Sequence, residues 1–236
     1  MGITKRQGEI LNRIVQEYIE LAQPVSSKLL KKKYDFEIRP AMIRIEMQKL
    51  TDKGYLLQPH TSAGRVPTDK GYRFFVDNIL KRGFPEFKEI SKIEEILKKE
   101  QEDILAFASQ MTKFLVKISS SFTVFHLLEK DLFWKEGWKE ILREPEFSDR
   151  DLISNFVKFL EDFERDIKNL KINSKIKIFI GKENPFSRAK DFSIISSKCC
   201  FPDAGEGIVS FLGPKRMAYD KNIGLINSLM KILEKY

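Results

Sequence analysis

Between Pro59 and Asp77 the chain reads Pro-His-Thr-Ser-Ala-Gly-Arg-Val-Pro-Thr-Asp-Lys-Gly-Tyr-Arg-Phe-Phe-Val-Asp. Its polar tip carries His60, Thr61, Ser62, Gly64 and Arg65 between two short strand-like pieces, Tyr55 to Gln58 and Val66 to Pro67. Hydroxyls and a glycine amide of this kind hold phosphate oxygens, while Arg65 is expected in or near a minor groove. Upstream, Arg39, Met42, Arg44, Ile45, Gln48 and Lys49 fall on the outward face of one predicted helix. Arginine pairs bidentately with guanine, whereas Met42 and Ile45 can only touch a thymine methyl or pack. Ser27 and Lys28 ahead of that helix, and Thr68 just past the tip, complete the residues expected to meet DNA. For any one of them the competing reading is an ordinary surface residue.

Bond-making chemistry has little to work with. The two histidines, His60 and His126, have no nucleophile motif beside them, and there is no glycine-rich phosphate loop. No His/Cys cluster has zinc spacing, and Cys199-Cys200 is too close for a metal-ligand pair. Two reduced thiols on a strand are expected there, with a vicinal disulfide as the alternative. Gly181-Lys182-Glu183-Asn184 reads as a polar loop in which Glu183 and Asn184 could meet a ligand, or as one that only turns the chain. The expectation is no enzyme, no cofactor and no metal.

The elements that must position the DNA contacts are legible. Thr4 and Gln7 fit a capping box, and Ile10, Leu11, Ile14, Val15, Tyr18 and Ile19 recur at helical spacing. Ser26 or Ser27 caps a second, short helix. A third starts near Arg39 with Pro40 in its first turn, points Ile43, Met47 and Leu50 inward, and ends at Gly54. Three helices and a basic hairpin make a winged helix-turn-helix with the third helix as reader. A further helix, capped by Thr68 or Asp69, runs to about Leu80, and Gly83 and Pro85 mark a linker.

Beyond the linker, Ile90, Ile93, Leu97, Glu100, Ile104, Phe107, Met111, Phe114 and Ile118 step by three and four, predicting one long helix with an apolar seam. Two uses of the seam stay open: pairing of two copies, or packing on its own domain. Phe122 to Phe125 reads as a strand, Asp149 to Leu170 as an amphipathic helix, and Ile176 to Ile180, Phe192 to Ser196 and Ile208 to Leu212 as further strands. A last helix spans Lys221 to Lys235. The class is α+β, divided as a DNA-binding domain over 1–82, a linker and heptad helix over 83–121, and an α+β domain over 122–236.

Charge agrees with this division. Residues 1–82 hold 16 Lys and Arg against 9 Asp and Glu, a net of +7, whereas the rest of the chain nets +1 of the total +8. Such asymmetry points to a polyanion as partner of the first third. No apolar run approaches the ~20 residues of a membrane span, the N-terminus lacks the apolar core of a signal peptide, and two cysteines make no disulfide framework, so a cytoplasmic protein is expected.

Three stretches, Pro24-Val25-Ser26-Ser27-Lys28, Pro40-Ala41-Met42-Ile43-Arg44-Ile45-Glu46-Met47 and Pro59 to Thr68, resemble the HrcA heat-inducible transcription repressors. Glu144-Pro145-Glu146-Phe147, Gly181-Lys182-Glu183-Asn184 and Gly213-Pro214-Lys215-Arg216-Met217-Ala218-Tyr219 resemble that family's C-terminal landmarks in the same order. The resemblance implies a dimeric repressor of chaperone operons that binds a long inverted-repeat operator, CIRCE, and depends on the GroE chaperonin. It also implies a winged helix followed by a GAF-like domain, here reduced, because the chain is short between about Val124 and Trp138, where an inserted dimerising domain is expected. Dimerisation through Ile90, Ile93, Leu97, Ile104, Phe107, Met111, Phe114 and Ile118 is then the natural substitute. The reading helix also departs from the family: Arg39, Met42 and Ile45 stand where Ser, Thr and Asn are usual, which implies a changed base preference. Two rival readings follow from the same residues: a small-molecule-responsive regulator sensing near Glu183 and Asn184, and a chaperonin-interacting protein without operator binding.

Overall fold

The computed structural model describes residues 2–83, 90–99, 103–170, 172, 175–201 and 205–235. The chain divides into two compact units, Met1–Arg82 and Gly83–Tyr236.

The first unit packs four helices and a small hairpin: α1 (Lys5–Leu21), α2 (Ser27–Lys33), α3 (Pro40–Asp52), β1 (Leu56–Leu57), β2 (Val66–Pro67) and α4 (Asp69–Arg82). The capping box at Thr4 and Gln7 forms reciprocally, with both bonds at 3.2 Å. The stop to α1 lies earlier than Pro24: Ala22 takes the left-handed conformation at the C-cap (φ 52°). Ser26, not Ser27, caps α2 by accepting from the Leu29 N–H. Ile10, Leu11, Ile14 and Val15 of α1 meet Ile43, Met47 and Leu50 of α3, with Tyr72, Phe75 and Val76 of α4 closing the core. Burial on this scale stabilises at roughly 25 cal/mol per Å² of apolar surface. It fixes which side of α3 remains exposed.

The second unit contains α5 (Ile90–Lys99), α6 (Ile104–Ser119), β3 (Phe122–Leu127), β4 (Leu132–Glu136), α7 (Trp138–Ile141), α8 (Arg150–Asp166), β5 (Lys177–Ile180), β6 (Phe192–Phe201), β7 (Gly205–Pro214) and α9 (Tyr219–Leu233). The sheet is antiparallel with order β4-β3-β7-β6-β5, so its first and last strands lie side by side at the centre. On one face α8 packs Phe156, Phe159 and Phe163 onto Phe122, Val124, Phe192, Ile194, Ile208 and Leu212. On the other face α6 lies over β3 and β4, α9 lies over β6, and α5 packs on α6 and α9. This is the α+β class expected, with helices on both faces of a five-stranded sheet.

Two sequence readings need correction here. The single long helix over 90–118 is two helices, because Asp103 starts a new one: its carboxylate accepts from the N–H groups of Leu105 and Ala106 at 2.9 and 3.0 Å. Step-three-and-four spacing cannot distinguish one helix from two that share a phase. Strand β4 is an addition to the expected strands: Leu132 to Glu136 does not alternate cleanly, and its side chains are only partly covered. Pro85 of the expected linker and Glu100 of the seam lie outside the described residues, as does the Ile90 side chain.

Candidate nucleic-acid interface

The wing is held by its neighbours rather than by its own two short strands. Val25, in the turn between α1 and α2, forms a bridge with Arg65, with N–H···O distances of 2.9 and 2.8 Å in the two directions. Gly64 permits this approach, since a Cβ there would sit 2.3 Å from the Val25 carbonyl oxygen. Gln58 donates to the Thr61 and Ala63 carbonyls at 2.8 and 3.0 Å, and the Ala63 N–H bonds back to the His60 carbonyl. His60 Nδ1 lies 3.1 Å from the Ser62 hydroxyl at the exposed tip. No role was expected of Val25 or Gln58, because the backbone bridge of the first and the side-chain amide bonds of the second depend on how the wing folds.

This construction brings the start of α2, the middle of α3 and the wing around one concavity. Its volume is about 250 Å³, and Ser26, Ser27, Lys28, Arg44, Thr61, Ser62, Gly64 and Arg65 are among its lining residues. Three lining residues are cations and none is a carboxylate. Lys28 and Arg44 are exposed and have no ion-pair or hydrogen-bond partner among the described residues. Burial, followed by the nearby charge of Arg44, lowers the Arg65 pKa from its usual value. Two guanidiniums and an ammonium thus line a hollow with no carboxylate among its described lining residues, the arrangement of charge that would suit an anion such as a backbone phosphate.

Arg65 departs from its expected role. It is 7% exposed, donating Nε to the Thr51 hydroxyl at 3.0 Å and Nη2 to Gln48 Oε1 at 2.7 Å. Its side chain therefore braces the wing against α3 instead of reaching into a minor groove. Gln48 is committed as well, since its amide also donates to Asp52 at 2.8 Å. The Thr68 hydroxyl accepts from the Gly71 N–H and donates to the Gly54 carbonyl at 2.7 Å, so it starts α4 rather than facing outward. Lys49 pairs with Glu46 at 2.8 Å while its side chain stays about half exposed. Glu46, buried at 8%, also accepts from Gln7 of α1 at 2.8 Å. The Lys49 bond, then the Gln7 bond, holds its carboxyl below the usual range. The sequence signal for Glu46 was present, since it falls on the same inward face as Ile43, Met47 and Leu50. Arg39, Met42, Arg44 and Ile45 remain on the exposed face.

The remaining site readings fall in the second unit. Ile93, Leu97, Phe107 and Met111 are buried at 4% exposure or less within that unit, so the seam packs on its own domain. Ile104, Phe114 and Ile118 are half-buried. The seam is therefore not the open pairing surface expected. Glu183 accepts from the Ile180 N–H at 3.1 Å, and the Asn184 amide donates to the carbonyls of Gly181, Ala189 and Phe192 at 2.8 to 2.9 Å. Of the two readings of this loop, the geometry is that of a turn held by its own side chains. Arg216 explains why two landmarks occur together: it pairs with Glu144 and, at 2.7 Å, with Glu146. Tyr219 of the same landmark donates to the Lys215 carbonyl and bonds Ser193 at 2.7 Å. Cys199 is buried and Cys200 exposed, both free, and burial pushes the Cys199 thiol up to about 12.

A winged helix-turn-helix with a basic hollow free of carboxylates among its described lining residues, followed by an α+β unit, defines the class as that of winged-helix regulators. The family model described as the HrcA protein C terminal domain matches residues 73–223, well over half of the chain, and the chain belongs to the HrcA family. It is 28% identical to the heat-inducible transcription repressor HrcA of Natranaerobius thermophilus over 337 aligned positions, covering 100% of this chain and 98% of the relative. It is 26% identical to the protein of the same description from Thermodesulfovibrio yellowstonii, covering 99% and 97%. Aligning 236 residues over 337 positions leaves about 100 positions where this chain has no residue. A hypothetical protein of known crystal structure shares the fold, with a TM-score of 0.77 at 20% identity, covering 99% of this chain and 97% of that one. Among the described residues no helix is long and apolar enough to cross a membrane.

Proposed function

We propose that this chain is a DNA-binding transcription repressor of heat-shock genes that holds an inverted-repeat operator as a homodimer. The observation that carries the reading is the hollow whose exposed cations, Lys28 and Arg44, have no carboxylate beside them among its described lining residues. The relatives described as heat-inducible transcription repressors support the regulatory role. Within it, α3 enters the major groove, and Lys28, Thr61, Ser62 and the Gly64 N–H hold backbone phosphates. One chain carries one reading helix, so an inverted repeat with half-sites spaced by whole helical turns requires two copies. The interface lies on a surface other than the occupied Ile93 to Met111 stripe. The GroE chaperonin is the partner that the family resemblance adds, as the source of heat sensitivity.

The test is footprinting of the native protein on DNA upstream of chaperone genes, with and without heat. Protection of an inverted repeat that disappears on heating supports the reading. Equal retention on random and upstream DNA, with no protected repeat at any salt concentration, overturns it. Sedimentation of the complex with that duplex reports whether two chains are bound.

A further inference from the structure

The exposed face of α3 is unusual for a surface meant for a charged polymer. At 100° per residue, Ile43, Glu46, Met47 and Leu50 face inward, which leaves Ala41, Ile45 and Gln48 at the centre of the opposite side. Ile45 is 46% exposed, and Met42, on the flank away from the wing, is 44% exposed. The polar residue at that centre is already partly committed, because Gln48 accepts one bond from Arg65 and donates one to Asp52. The cations of this face without a hydrogen-bond or ion-pair partner among the described residues are Arg44, beside the wing, and Arg39, just before the helix start. Between them lies an apolar strip of Ala41, Met42 and Ile45.

We propose that this strip reads thymine 5-methyl groups, so that part of the operator's sequence is selected by methyl contact rather than by hydrogen bonds. The inference rests on the reading that residues 1–82 bind DNA. The 5-methyl of thymine is the apolar group on the major-groove edge of base pairs, and it meets short apolar side chains there. Charge selects this occupant over a protein one. Arg39, Arg44, Lys28 and Lys49 surround the strip in a unit of net charge +7, which attracts the duplex and repels a second copy of itself. The strip stands where the resemblance places Thr and Asn, so its specificity differs from that of a helix able to pair an amide with adenine.

The experiment uses the full chain. Duplexes enriched from a randomised pool are resynthesised with deoxyuridine at each thymine in turn, which removes only the methyl group. Affinity should fall about fourfold for each methyl taken out of apolar contact. In the variant carrying Met42→Ala and Ile45→Ala, whose side chains support no core, that thymine-to-uracil ratio should collapse towards one while the thermal midpoint is unchanged. Equal affinity for both duplexes in the native chain, or a ratio that survives in the variant, overturns the proposal. A variant that lowers the dimer fraction while keeping the ratio identifies the strip as a protein contact and equally overturns it. Failure to enrich any sequence brings down the DNA-binding reading itself, an outcome distinct from enrichment of sequences whose binding ignores the methyl group.

Discussion

The wing hollow of the first unit and the Arg216 cluster of the second are both built from family-specific motifs around an arginine, yet their polar groups face opposite ways. In the hollow, Lys28 and Arg44 have no counter-charge within the described residues, and the wall contains no acid. In the cluster, Arg216 is 8% exposed and pairs with Glu144 and Glu146, while Tyr219 of the same landmark bonds Ser193 and the Lys215 carbonyl. Only the hollow has charge left over for a partner. What separates a functional motif from a structural one is whether its polar groups are already satisfied.

The contrast can be broken most directly in the second unit's core. Phe156→Ala removes a fully buried ring from a cluster containing seven phenylalanines and should cost about 4 kcal/mol in urea unfolding, with DNA affinity of the folded protein intact. Loss of DNA affinity at full folding would mean that the two units do not divide the labour. Arg216→Ala leaves two partly buried carboxylates without their cation and should cost about 3 kcal/mol, again with no direct effect on binding. A variant with native stability but weakened DNA retention would make the cluster a binding site.

In the first unit, Gly64→Ala drives a Cβ into the Val25 carbonyl. The expected result is about 2 kcal/mol of lost stability together with weaker binding to every DNA sequence, because the wing shifts as a whole. The two arginines beside it should then separate. Arg44→Ala should leave the thermal midpoint alone, cost ~1–3 kcal/mol in operator affinity and relax preference at one base pair. Arg65→Ala should instead lower stability by about 1–2 kcal/mol by orphaning Gln48 and Thr51. Equal stability losses for both would erase the distinction between a reader and a brace.

The smallest effect is one of pH. His126 is buried, stacked on Phe133 at 3.8 Å, with Nε2 3.2 Å from Asp131 and Nδ1 without a hydrogen bond. Burial lowers its pKa below 6.5, outweighing Asp131, so the folded second unit favours the neutral ring. Its contribution is present above the unfolded value near 6.5 and is lost as pH falls through the folded value. In the first unit, burial of Glu17 is outweighed by its bonds to Lys33 and Tyr34, and Glu46 is held by Lys49 and Gln7, so both carboxyls lie below 4.5. Their contribution persists until pH drops under that range. Residue-resolved urea unfolding between pH 7 and 4 should therefore weaken the second unit first, and His126→Phe should abolish the early loss. Simultaneous weakening of both units would refute the assignment.

Local rules were sufficient where short-range chemistry decides the outcome. The capping box at Thr4, the inward stripe of α3, Gly54 after its end and the basic excess of residues 1–82 follow from composition and period alone, and the motif strings named the family. Those signals depend on residues a few places apart, which a sequence displays directly. Tertiary structure decided what each polar group does. Arg65 and Gln48 became braces, Thr68 a cap, Asn184 a lock on three carbonyls, and the apolar seam of α5 and α6 a domain contact, because residues distant in the chain arrived to satisfy them. A side chain's partner is set by three-dimensional neighbours. Charge and periodicity could therefore mark the basic surface of the first unit, while packing alone determined which of its polar groups are left without a partner.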